Sequence, residues 1–90
     1  MNNQRRNQLQ KLYDRLQEVY DTLDEIKCDI EDLQQEEDDY RDNMPEQFQD
    51  TDRYYTSEES SEAMGEACDS IDEVMSYIED AQGHLEDAQG

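Results

Sequence analysis

Leu9, Leu12, Leu16, Val19, Leu23, Ile26, Ile30 and Leu33 follow one another at alternating steps of three and four residues, and Tyr40 and Met44 keep the phase. With Leu9 as position a of a heptad, the run reads a-d-a-d over five heptads, interrupted at Glu37. A second run in its own phase comprises Met64, Ala67, Ile71, Val74, Ile78, Ala81, Leu85 and Ala88. Of the 13 Leu, Ile, Val and Phe residues, 12 occupy a or d, and only Phe48 falls outside. This 3.5-residue repeat predicts two long helices.

Local signals place the ends. Pro45 lacks an amide hydrogen and pushes Met44 out of the helical region, so Asn43-Met44-Pro45 stops the first helix. Thr56 with Glu59 three residues on reads as a capping box opening the second. The expected architecture is all-α, a two-helix antiparallel coiled-coil hairpin forming one domain over residues 1–90. The first helix is expected at about 4–43, the connector at 44–56, with one helical turn after Pro45, and the second helix at about 57–89. Gly65 and Gly83 fall on the outer face.

Composition alone points elsewhere. So few strong hydrophobes among 90 residues, with a net charge of −20, is the signature of a disordered chain. Placement overrides it, because nearly all the apolar surface lies on two stripes. The balance of 7 Lys and Arg against 27 Asp and Glu argues against direct binding to nucleic acid or anionic lipid. No apolar run has membrane-spanning length, and the start of the chain has no apolar core of a signal peptide, so a cytoplasmic protein is expected. Cys28 at f and Cys68 at e are not expected to form an intrachain bridge.

Charge placement predicts assembly. In the second helix eleven acids fall on b, c or f, leaving a, d, e and g without formal charge. A single neighbour needs only a narrow clear seam; four clear positions of seven suit a bundle with more than one. Tyr13 and Tyr20 widen the first helix at e. A homodimer forming a four-helix bundle is expected, with Tyr13, Tyr20, Met75 and Tyr77 at the dimer seam.

The connector end collects the candidate partner-binding residues. Asp29, Glu31, Asp32, Glu36, Glu37, Asp38, Asp39 and Asp42 lie on the first helix. Glu58, Glu59, Glu62, Glu66 and Asp69 lie on the second. Carboxylates there run at about one per 1.5 Å of helix, close to the ~1.7 Å charge spacing of duplex DNA. Such a face suits the basic channel of a nucleic-acid-handling protein; its plainer reading is a solubilising surface. Phe48, Tyr54 and Tyr55 form a candidate aromatic tip, as a target anchor or a cap on the hairpin. Asp50-Thr51-Asp52 begins like a calcium loop but is not continued by Arg53 and Tyr54, and His84 near Asp80 lacks further ligands. With no nucleophile–base pair in view, the expectation is no enzyme, no catalytic residue, no metal and no cofactor.

The stretch Glu36-Glu37-Asp38-Asp39-Tyr40-Arg41-Asp42-Asn43-Met44-Pro45-Glu46, followed by a short linker and a second acidic helix, resembles small helical-hairpin proteins of phages and mobile elements of Gram-positive bacteria. The resemblance spans about residues 9–82, and Asn43-Met44-Pro45-Glu46 is its most specific piece. It implies an anti-defence role, such as an anti-CRISPR or anti-restriction inhibitor that looks like DNA to a host effector. The chain is also similar in length and helix pairing to secreted WXG-type hairpins. It departs from them in having no Trp, and in Ala81 where an acid is expected after Tyr77. The competing expectation is a coiled-coil adaptor without nucleic-acid mimicry.

Overall fold

The computed structural model describes residues 2–90. Helix α1 runs Asn3–Asp42, a single 3-10 turn occupies Glu46–Phe48, and helix α2 runs Asp52–Ala88; the described residues contain no strand. Asn2 caps α1, its side-chain oxygen accepting the Arg5 amide at 2.8 Å, which satisfies one of the orphan donors of the first turn. Pro45 stands at ψ 147°, outside the helical region, and the 3-10 turn starts behind it.

The second helix begins five residues before the expected Ser57. The Thr51 carbonyl accepts the Tyr54 and Tyr55 amides at 3.1 and 3.2 Å, while its hydroxyl donates to the Phe48 carbonyl at 2.5 Å. Asp52 supplies an acid in the first turn, favoured by the helix dipole. Thr56 and Glu59 therefore lie inside α2, where a capping-box pair is simply two exposed side chains.

The chain divides into two compact units. The terminal unit joins the residues up to Glu25 with Ile71–Gly90, and the tip unit is Ile26–Ser70. Within each, the two helices run antiparallel. In the terminal unit, Gln82 Nε2 donates to Gln17 Oε1 at 3.1 Å and to the Tyr13 carbonyl at 3.4 Å, and Gln89 Nε2 donates to Gln10 Oε1 at 3.1 Å. Arg6 Nε donates to the Gln89 carbonyl at 2.9 Å, placing a cation at the C-terminus of α2. In the tip unit, Gln34 Nε2 donates to the Ser61 carbonyl at 2.9 Å, and the Cys68 thiol lies 3.9 Å from the Lys27 carbonyl.

These contacts correct the expected seam. Both helices face each other through a and e, not a and d. On α2 the covered row is Ser57, Ser61, Met64, Cys68, Ile71, Met75, Ile78 and Gln82, a 4-3 repeat. On α1 it is Leu9, Tyr13, Leu16, Tyr20, Leu23, Lys27, Ile30 and Gln34. The expected d residues Leu12, Val19, Ile26, Leu33 and Tyr40 are 43–55% exposed, and Val74 is 46% exposed. Position e lies 40° to one side of a and d lies 60° to the other, so the contact sits roughly 50° off the centre of the apolar stripe. The e row wins because its Gln, Ser, Arg and Cys side chains hydrogen-bond across the seam, and no buried side-chain polar atom among the described residues is left without a partner.

Two e-row tyrosines of α1 stand beside carboxylates of α2. The Glu86 carboxylate beside Tyr13 and the Glu79 carboxylate beside Tyr20 accept hydrogen bonds from the phenols, raising both above the ordinary value. A raised folded pKa stabilises the fold below the ordinary phenol pKa and ceases to do so as pH rises through the raised one. Absorbance titration should show both phenolates forming later than free tyrosine, and Glu79→Gln should return Tyr20 towards the ordinary value.

The core is thin. No residue of α1 is buried, and the buried hydrophobic residues are Met44, Cys68, Met75 and Ile78. Helix propensity therefore matters. A Cβ at Gly83 would meet nothing within 4 Å, so Gly83→Ala should stabilise by about 0.5–1 kcal/mol, read as a rise of several degrees in melting temperature. At Gly65 the same Cβ would come 3.1 Å from Gln34 Nε2, so the gain there should be smaller.

Candidate functional site

The tip unit contains the whole set of candidate partner-binding residues. It holds sixteen acids against Lys27, Arg41 and Arg53, a net −13, whereas the terminal unit holds eleven acids and four bases, a net −7. The long helices place the carboxylates at fixed intervals, because b, c and f project away from an a/e seam.

Most of the expected acids are exposed: Glu31, Asp32, Asp39 and Asp42 on α1, and Glu59, Glu62, Glu66 and Asp69 on α2. Asp29 and Glu36 are exposed too, but at position g, flanking the open d row of α1 rather than standing among the b, c and f acids. Glu37 and Glu58 are half-buried.

Asp38 departs from the expectation of a solvated face. It turns into the seam, where it accepts the Ser61 hydroxyl at 2.5 Å and Arg41 Nη2 at 2.9 Å. Arg41 Nη1 reaches Ser57 Oγ at 3.4 Å. The Ser61 hydrogen bond, then Arg41, holds the Asp38 carboxyl below its ordinary pKa, and Asp38 in turn raises Arg41. This cluster replaces the apolar seam at the tip, with Ser57 and Ser61 buried. It also ties up one of the three tip cations, and Lys27 stands 4.0 Å from Glu31. The exposed acids of α2 have no base of their own helix beyond Arg53.

The aromatic residues are distributed differently from the expected connector. Tyr54 and Tyr55 belong to the start of α2 and meet edge to face, with centroids 5.8 Å apart. Phe48 sits on the 3-10 turn and lines a shallow groove with Tyr40, Met44, Pro45 and Arg53. Met44 is buried beneath it, so the tip has its own small apolar anchor.

Of the residues expected at a dimer seam, Tyr13, Tyr20 and Met75 face the other helix of the same chain. Tyr77 is 71% exposed. Sequence reasoning placed these e residues beside the seam; their clustering with Gln82, Gln34 and Arg41 in one heptad row was the signal that they form it.

Among the described residues, no three His, Cys, Asp or Glu side chains are grouped to hold a metal ion, and no helix is long and apolar enough to cross a membrane. Comparison with known protein families, characterised proteins and solved structures gives no match to this chain.

Proposed function

We propose that this chain is an acidic helical inhibitor that occupies the basic nucleic-acid-binding surface of a host defence protein, acting as a DNA mimic of the anti-CRISPR or anti-restriction type. The supporting observation is the array of exposed carboxylates on two paired helices, at net −13 within Ile26–Ser70. Helices hold these groups before binding, so little ordering entropy opposes the encounter. Attraction and release of counterions from the target's Lys and Arg drive it. The protein works in the host cytoplasm without catalysis or cofactor, as two hairpins joined in a four-helix bundle.

Competition decides this. Purified restriction and CRISPR effectors, loaded with labelled duplex DNA, should release it when the protein is added at ~50 mM salt, with the apparent affinity falling at least roughly tenfold by ~200 mM. Affinity indifferent to salt would end the mimicry reading. It would favour the adaptor alternative, for which the groove formed by Tyr40, Met44, Pro45 and Phe48 supplies an apolar contact.

A further inference from the structure

An a/e seam leaves one apolar row of each helix without a neighbour. On α1 this row is Leu12, Val19, Ile26, Leu33 and Tyr40, one residue every seven, each 43–55% exposed. On α2 it is Ala67, Val74 and Ala81, beside the uncharged flank Ser70, Tyr77 and His84. No acid of α2 lies on d or g. In the terminal unit the row opens into a groove lined by Leu12, Leu16, Val19 and Leu85, with Arg15 and Glu18 at its edge.

We infer that a second copy of this chain covers this row, its α1 lying antiparallel on the first with Ile26 opposite Ile26. The inference rests on the pairing of hairpins proposed above and assigns its face and direction. Antiparallel rows centred on Ile26 bring Leu12 to the partner's Tyr40 and Val19 to the partner's Leu33. The groove between Leu12, Val19 and Leu85 then receives those two larger side chains.

Charge selects the direction. The g row of α1 reads Gln8, Arg15, Thr22, Asp29, Glu36, Asn43. In the antiparallel arrangement Arg15 comes level with the partner's Glu36, and Thr22 with the partner's Asp29, twice over by symmetry. Parallel α1 helices would set the g row against the partner's a row, Arg15 beside Leu16, Asp29 beside Ile30 and Glu36 beside Glu37, with no opposite charges paired. Laying α1 on the partner's α2 would leave Arg15 among Ser70, Tyr77 and His84, with no carboxylate. The b, c and f acids face away in every case, so the net −20 of each chain does not block the contact at moderate salt.

The area is adequate. Seven large side chains, those of the α1 row with Val74 and Tyr77, are 43–71% exposed. At ~150–250 Å² for a whole large side chain they present roughly 700 Å² per copy, near the ~800 Å² per partner of a standard interface.

Sedimentation and cross-linking test the two parts separately. The full chain should sediment at twice its 10.7 kDa at moderate salt. Val19→Glu and Leu33→Glu should return it to single mass with the helical circular dichroism kept, since both positions are exposed. In a Cys28→Ser, Cys68→Ala background, a short bifunctional thiol reagent should link Ile26→Cys to itself. It should link Leu12→Cys to Tyr40→Cys in a mixture, and neither of those to itself. A full chain that sediments singly overturns the pairing and this interface together. A pair that survives Val19→Glu and Leu33→Glu overturns the face, and a pair in which Leu12→Cys links to itself overturns the direction while the pairing stands. The DNA-displacement assay answers separately for the acidic surface.

Discussion

Reversing Asp32, Asp39, Glu62 and Glu66 to lysine is expected to abolish DNA displacement from an effector, lowering affinity by roughly 10³-fold if each reversal costs about 1 kcal/mol. All four are exposed on c or f, away from the a/e seam and the open apolar row, so the change touches neither packing surface. The chain goes from −20 to −12, which relieves self-repulsion and should leave helicity unchanged or increased. Conversion of the same four to Asn and Gln should give an intermediate loss, because it removes attraction without adding repulsion. Asp38 is left out deliberately. Its carboxylate holds Arg41 and Ser61, and a loss on changing it would report on the fold. If the lysine variant displaces DNA as well as the native chain, the acidic face is a solubilising surface.

Met75→Asp is expected to unfold the terminal unit, whereas Val74→Asp should leave the helices standing. Adjacent in sequence, the two positions differ entirely in exposure: Met75 is 7% exposed and Val74 46%. Removing a buried Met side chain costs about 2–5 kcal/mol, and an unpaired buried carboxylate adds several more, against a typical domain stability of about 5–15 kcal/mol. At Val74 the carboxylate stays hydrated. Thermal melts followed by circular dichroism read the difference. An a/d seam would reverse the order of the two variants, so this pair of substitutions tests the seam itself. Val74→Asp should still weaken association, since Val74 lies on the row assigned to the second copy.

The helices were legible in the sequence because their hydrophobes repeat, and the stop at Pro45 because proline cannot continue a helix. The seam was not. Rows a/d and a/e both alternate steps of three and four, so periodicity fixes the pitch of the stripe without saying which flank meets the neighbour. What decided it was hydrogen bonding between Gln82 and Gln17, Gln34 and Ser61, and Arg41 and Ser57, which depends on two helices being side by side. The start of α2 was hidden for a similar reason: Thr56-Ser57-Glu58-Glu59 carries the capping-box letters, but the chain had already turned at Thr51. Asp38 gave no local sign that it would leave the solvated face, since its partner Ser61 lies 23 residues away.

A plain heptad zipper has a weakness: sliding one strand by seven residues returns every leucine and isoleucine to an equivalent slot at almost no loss. The polar cluster of Asp38, Arg41, Ser57 and Ser61 removes that freedom. Asp38 takes the Ser61 hydroxyl in one alignment alone, and a slip of seven residues would set its carboxylate level with Tyr54 or Cys68 instead. These polar contacts thus act as a vernier, fixing which carboxylate of one rod stands abreast of which on the other.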